Sequence, residues 1–383
     1  MQSPNYYEFL GRPKMISGKR ALEQIPGELE GYGAGRPLVL VQSGPGSGAL
    51  AGAITKALYD STMVIGALYD GAVAGSTSGI AGELAGLFKA RKCDSIIAIG
   101  GGALVDVAKC VNMEVTEKKP AGQMAGQGKI SRELKPMVLV PVTLVSGNEA
   151  ANRAFVDGLV CISDFLSPDV VIVDHRMTST AEAGPVLCSG MIALAHAVEA
   201  AISTSANPMI DAYAYAAIRL LIENLPAAVR KPSNKKNSVA VANAGALAAT
   251  AFSNAPEGIT HHLAEALADC TGINPGVGMG LLIRASLKAR LAVKKDIREE
   301  LCLALSGPEL FSSSPASARA ESALGALDGM LGELGALMPG SLKEMGVTRE
   351  RMREAVRAAM KASPSKISEK ECMDIVGRAW DGR

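Results

Sequence analysis

A chain of 383 residues, 48% of them hydrophobic, exceeds what one core of about 250–300 residues holds, so two domains are expected. With 39 basic against 38 acidic residues, no long basic run and only 4% aromatics, it lacks the charge stripe and stacking surface of a nucleic-acid binder. Seven scattered cysteines without a CxxC pair exclude a zinc ribbon or redox dithiol and suit a reducing cytoplasm. The opening MQSPNYYEFLGRPKM has no charged head followed by an apolar stretch, and the apolar run Met137–Val145 is short and holds a proline, so neither a signal peptide nor a membrane partner is expected.

Pro37–Val41 is a short apolar run ending in the glycine-rich loop Gly44–Gly48, and Ala49–Tyr59 then reads as helix. Met63–Leu68 is strand-like, and Ser78–Arg91 is helical. Ser95–Ile99 is a buried strand that runs into Gly100, Gly101 and Gly102, and Val105–Asn112 returns to helix. Met137–Val142 and Val170–Val173 add two buried strands. Continuous apolar strands alternating with helices predict a parallel sheet covered on both faces. From Ala181 onward Ala, Leu, Glu and Lys recur at periods of three and four. Helices are expected over Val186–Ile202, Met209–Asn224, Ser238–Phe252, Thr260–Ala268 and Gly278–Leu291, with breaks at Lys231–Asn237 and Gly307–Ser317. The fold class is α/β: an α/β domain over residues 1–182, then an all-α domain over residues 183–383, with no internal repeat.

The strongest local signal is IIAIGGGALVDVAK, Ile96–Lys109. Glycines let a pyrophosphate approach the backbone, and the helix that follows offers free N–H groups and partial positive charge. The same glycines would also serve a tight strand-to-helix turn with no ligand. Asp106 and Lys109 have a plainer alternative as helix-start charge and surface lysine. The loop Gly44–Gly48 loosely follows a Rossmann fingerprint, but its third glycine comes too soon.

GGGALVDVAK (Gly100–Lys109) resembles the GGGS-x-x-D-x-x-K segment of the iron-containing (group III) alcohol dehydrogenases. Pro141–Glu149, PVTLVSGNE, resembles that family's second cofactor segment, roughly PTTxGTGSE. Ser189–Ala200 resembles its metal-helix segment TGxDALxHAxEA, and a weaker match lies at His261. The resemblance runs from about Pro13 to the C-terminus, with the segments in order. It implies a dehydroquinate synthase-like architecture, with a dinucleotide-binding first domain, a helical second domain carrying the metal and substrate site, and the active site in the cleft between them. It also implies a homodimer. NAD or NADP would lie on Gly100, Gly101, Gly102 and Asp106, with Thr143 and Ser146 near its nicotinamide half. Where NAD-users of the family carry an Asp at the end of the first strand, this chain has Ser43, which leaves room for a 2′-phosphate and so permits NADP.

Members of that family bind iron or zinc through one Asp and three His. Of the four histidines here, His175, His196, His261 and His262, two fall in register: His196 and His261. The Asp that belongs four residues before His196, on the same helix face, is Ile192. The histidine of a PHG loop motif is replaced by Pro275, within Asn274-Pro275-Gly276. The family's nearby non-ligand active-site His becomes Glu265, and a cleft lysine is absent, with Gly158 near its position. Two imidazoles without a carboxylate argue against tight Fe or Zn binding at the original geometry; the alternative donor set is His196, His261 and Glu265. Ser189–Ala200 is closer to the SGxNALAHAVEA helix of the maleylacetate reductases, a branch that works without the metal, and Gly258–Leu263 is similar to its GLHHKL. Glu265 departs from that branch, and GGGALVDVAK is closer to the metal-dependent group.

The implied function is hydride transfer between NAD(P)H and a small aldehyde, ketone or keto acid. His196 and His261 would polarise the carbonyl or supply the proton, and Glu265 would orient or charge one of them. The alternative from another class is a catalytically degenerate nucleotide-binding protein of the same fold. A metal-dependent cyclase or lyase on the dehydroquinate synthase plan comes third, because the metal set is missing.

Overall fold

The computed structural model describes residues 4–44, 46–59, 61–73, 77–142, 149–179, 181–292, 297–363 and 367–382. It divides into two compact units. One comprises Leu10–Ala181 and Ser233–Ala246; the other comprises Met1–Phe9, Glu182–Pro232 and Leu247–Arg383.

The first unit runs β1 (Lys14–Ser17), α1 (Ile25–Gly31), β2 (Pro37–Val41), α2 (Ser47–Leu58), β3 (Ala67–Tyr69), α3 (Thr77–Ala90), β4 (Ser95–Ile99), α4 (Ala103–Glu117), β5 (Gly126–Gln127), β6 (Met137–Val140), β7 (Arg153–Val156), β8 (Leu159–Ile162), β9 (Val170–Val173) and α5 (His175–Thr178). Six strands form a parallel sheet in the order β1-β9-β6-β4-β2-β3. The central runs PLVLV, SIIAI, MVLV and VVIV are buried at every residue. Alternate residues serve opposite faces: Val39, Ile97, Val138 and Ile172 pack with Leu29 and Ile54 of α1 and α2. The intervening Leu40, Ile96, Leu139 and Val171 are equally buried.

From β2 the chain moves outward to β3 and then crosses back to β4 on the other side. The carboxyl ends of β2 and β4 therefore flank the topological switch point, where open α/β sheets bind their ligands. Two strand expectations are corrected. Met63–Leu68 is a strand only over Ala67–Tyr69, because this edge strand pairs with β2 alone. Met137–Val142 stops at Val140. The edge strand β1, KMIS, is mostly exposed, so its sequence carries no apolar run.

A small second sheet, β5-β8-β7, contains the antiparallel β7–β8 hairpin. Its turn is Asp157-Gly158, with φ of +50° and +81°, the left-handed pair that a two-residue hairpin turn requires. Gly158, near the position of the absent cleft lysine, is thus a turn residue.

The second half of the chain continues as α6 (Ala183–Ile202), α7 (Pro208–Arg230), α8 (Lys235–Ser253), α9 (Ile259–Thr271), α10 (Pro275–Ala292), α11 (Glu299–Ser313), α12 (Arg319–Glu333), α13 (Arg349–Ala362) and α14 (Glu369–Asp381). Asn207 starts α7 by accepting the N–H groups of Met209 and Ile210, and a Ser368–Glu371 capping box starts α14. Helix α6 has the length and mean hydropathy, 1.6, to cross a membrane, but 78% of that stretch is buried inside the protein, so it is a core helix. Its neighbours come close at glycines: Leu225 fills the space a side chain at Gly190 would take, and the Cys188 backbone does the same at Gly276. The expected break at Gly307–Ser317 is a kink at Gly307 (φ +76°), after which α11 resumes to Ser313, and α8 already begins at Lys235, inside the other expected break.

Candidate active site

The glycine loop follows β4 at the switch point. Gln42, just past β2, donates its backbone N–H to Ile99 O (2.8 Å), and its side-chain Oε1 accepts the Gly101 N–H (3.1 Å). Gly100 donates to Val140 O of the next strand (3.0 Å). A Cβ on Gly100 would lie 2.7 Å from Leu104 Cδ2 and 2.9 Å from the Gln42 side chain. Gly102 adopts φ +54°, and α4 begins at the next residue with no side chain capping its N-terminus. The loop is anchored to strands on both sides, while the helix end stays open to an anion. Ser43 is half-buried beside Gly44, whose φ is +118°. Thr143 and Ser146 lie outside the described residues. Gln42 went unnoticed in the sequence; no motif marks a glutamine whose role is to grip a loop 59 positions later.

Asp106 and Lys109, nearly one turn apart on α4, are both buried, and Lys109 is 0% exposed, so the surface-lysine alternative falls. Lys109 Nζ donates to Ala151 O (2.6 Å) and Arg153 O (2.7 Å), while Asp106 Oδ1 accepts the Phe155 N–H (3.0 Å). Glu149 and Arg153, also buried, complete a cluster of two acids and two cations. Burial pushes the Asp106 carboxyl up, against the Phe155 N–H and the Lys109 charge. Burial also pushes the Lys109 ammonium down, against the attraction of Asp106 and Glu149. The cluster clamps β7 onto the helix that starts at the glycine loop.

In the helical unit, α6 carries His196 and the first turn of α9 carries His261; both are buried. The His196 ring stacks on Phe252 at a centroid distance of 3.8 Å and an interplanar angle of 9°. His196 Nε2 lies 3.1 Å from His261 Nδ1. His261 Nε2 lies 3.1 Å from Glu265 Oε1, one turn on, and the Glu265 side chain is 40% exposed. The three groups form a hydrogen-bonded chain from a buried imidazole to a carboxylate in contact with solvent. Burial opposes charging His261, but Glu265, with help from Glu257 and Glu199, outweighs it and holds the pKa above the ordinary imidazole value. Glu199, on α6, reaches across to cap α9: its Oε1 accepts the Thr260 N–H at 2.7 Å. Any Cβ at Gly258 would collide with that carboxylate, which explains the glycine. Glu199 ends the metal-helix segment, but nothing local marks it as the cap of another helix. His262 instead pairs with Glu257 at 3.4 Å, and His175 opens α5 in the other unit.

A metal ion fits this arrangement poorly. Ile192, one turn before His196, is apolar and half-buried. Pro275 is exposed at the first position of α10, where a missing N–H is harmless, and the Asn274 side chain accepts the Gly276 N–H at 2.9 Å. His261 turns Nδ1 to His196 and Nε2 to Glu265, so an ion held between the two imidazoles would have Glu265 on the far side of the ring. The alternative donor set, His196, His261 and Glu265, forms a hydrogen-bonded chain here. Among the described residues no group of three or more His, Cys, Asp or Glu side chains is placed to hold a metal.

Residues 13–175 match the family model of iron-containing alcohol dehydrogenase, and residues 186–380 match the C-terminal model of the Fe-containing alcohol dehydrogenase family. The chain belongs to the iron-containing alcohol dehydrogenase family. It is 31% identical over 309 residues to a 1,3-propanediol dehydrogenase of Klebsiella pneumoniae, covering 77% of this chain and 78% of that one. It is 25% identical over 344 residues to the NAD-dependent methanol dehydrogenase of Bacillus methanolicus, covering 88% and 89%. A solved 1,3-propanediol oxidoreductase superposes with a TM-score of 0.87 at 25% identity, covering 98% of this chain and 100% of that one. The expected α/β plus helical architecture is that of the family, and the protein is an oxidoreductase of the alcohol dehydrogenase type. The degenerate alternative finds no support among these relatives.

Proposed function

We propose that the enzyme reduces a small aldehyde, ketone or keto acid with a nicotinamide cofactor and without a metal ion, using His196, His261 and Glu265 as a proton relay. The observation that carries this reading is the double engagement of His261, by His196 on one nitrogen and Glu265 on the other. The resemblance of Ser189–Ala200 to the metal-free branch supports it. The cofactor, when bound, supplies the hydride in reduction and takes it in oxidation. Residues 1–182 would hold it: Gly100, Gly101 and Gly102 with the α4 N-terminus take the pyrophosphate, Gln42 fixes the loop, and Asp106 fixes the helix through β7. Residues 183–383 carry the proton. The paired imidazoles protonate the carbonyl oxygen as it gains negative charge, and Glu265, hydrogen-bonded to His261 Nε2, stabilises the imidazolium before transfer and passes a replacement proton from solvent. Phe252 keeps the His196 ring in plane for this exchange.

Turnover of NADH and NADPH with an aldehyde panel tests the proposal. After exhaustive chelation kcat should be unchanged, and Glu265→Gln should lower it about tenfold or more, the lower end of what a positioned acid–base group contributes. Loss of turnover on chelation with recovery on adding iron would overturn the metal-free reading.

Ser43 supports NADPH as at least an equal partner of NADH, although one relative is named as NAD-dependent. Ser43→Asp should shift preference toward NADH by about tenfold, since a carboxylate repels a 2′-phosphate and pairs with a ribose hydroxyl. A clear NADH preference in the wild type would contradict this. We place the enzyme in the cytoplasm, which seven free thiols support, and as a homodimer, on the family resemblance alone.

A further inference from the structure

The helical unit holds a concave feature that the proton relay does not use. A cavity of about 1010 Å³ is walled by the C-terminal turns of α6 and α10, the start of α9, and α14. His196, His261 and Glu265 are not among its lining residues.

Three buried polar atoms on its wall have no hydrogen-bond partner among the described residues: Glu199 Oε2, Ser203 Oγ and Arg290 Nε. Glu199 is 4% exposed, and its other oxygen is committed to the Thr260 N–H. Ser203, at the end of α6, lies four positions after Glu199 and hence on the same side. Arg290 is half-buried, and burial pushes its pKa down. Buried polar groups are nearly always paired, so three orphaned atoms on one wall point to a ligand that supplies their partners. Each orphan specifies one: the guanidinium N–H calls for an anionic acceptor, the carboxylate oxygen for a donor, and the serine hydroxyl takes either. Ile202, Ile259 and Ile375 add apolar wall beside the charged Glu257, Lys370, Asp374 and Arg378. The volume is at the upper end of small-molecule sites, roughly 300–1,000 Å³.

We propose that this cavity binds an amphipathic organic carboxylate. The acid pairs with Arg290, the apolar body packs on the three isoleucines, and a hydroxyl reaches Ser203 and Glu199. The assignment stands apart from the hydride-transfer reading and can be tested without cofactor.

Calorimetry on the full chain would use octanoate, its ω-hydroxy derivative and octanol. Both acids should bind saturably at one site per chain, more tightly than octanol. Arg290→Met should weaken both acids roughly tenfold or more and leave octanol unchanged. Ser203→Ala should weaken the hydroxylated acid alone. Arg290→Met removes an unpartnered charge, so its thermal midpoint should be no lower than that of the wild type, which confirms that the variant is folded. Absence of saturable binding by either acid, octanol binding as tightly as the acids, or equal acid affinity in the wild type and Arg290→Met would each overturn the proposal.

Discussion

Gly101→Val is expected to abolish binding of NADH and NADPH while leaving the protein folded. Gly101 lies at the switch point between β2 and β4, between two glycines of constrained geometry, and its N–H is already held by Gln42. Two residues on, α4 begins without a side-chain cap. A pyrophosphate reaches those free N–H groups only where no side chain stands over the loop. A branched residue would occupy that approach and remove charge-assisted hydrogen bonds of about 1.5–3 kcal/mol each, enough to carry binding beyond detection. Calorimetry with both cofactors measures the effect, and the far-ultraviolet circular dichroism should match the wild type. Unchanged affinity for both cofactors would show that the pyrophosphate binds elsewhere.

Lys109→Met should lower the free energy of unfolding by about 3–5 kcal/mol, the range for removing one partner from a buried ionic cluster. Methionine fills the volume of the stem but leaves the Ala151 and Arg153 carbonyls without their donor and Asp106 and Glu149 with only one of the cluster's two cations. The deficit should depend on pH with a definite sign. The native Asp106 carboxyl is already raised by burial, and losing Lys109 raises it further. A carboxyl whose folded pKa exceeds its unfolded value, about 3.9, favours the native state below that value and loses this contribution as pH rises through the folded pKa. The variant should therefore come closest to the wild type in mild acid and fall furthest behind at alkaline pH. Urea unfolding across that range is the measurement; a deficit below about 1 kcal/mol at neutral pH would mean that the cluster does not hold β7 on α4.

Much of the α/β unit was legible in the sequence because its signals are local. A strand buried on both faces must be a continuous Val, Ile and Leu run, and PLVLV, SIIAI, MVLV and VVIV are such runs. Three glycines between a strand and a helix mark a loop that needs unusual backbone angles, and Gly100 and Gly102 adopt them. The absence of a carboxylate at Ile192 and of an imidazole at Pro275 could also be read directly, by register against the family. What the tertiary structure decided is where each polar group finds its partner. Lys109 sits in a helix where a lysine reads as solvent-facing, yet it is fully buried, because backbone carbonyls 42 and 44 residues away accept its hydrogen bonds. Glu199 caps a helix that starts 60 residues later. His196, His261 and Glu265 could be picked from sequence as a donor set for a metal, but the ring nitrogen that each neighbour meets depends on how α6 and α9 pack. The helical period fixes which side of a helix a residue occupies, but not which atom of a distant side chain it meets; here that packing made a hydrogen-bonded chain of His196, His261 and Glu265.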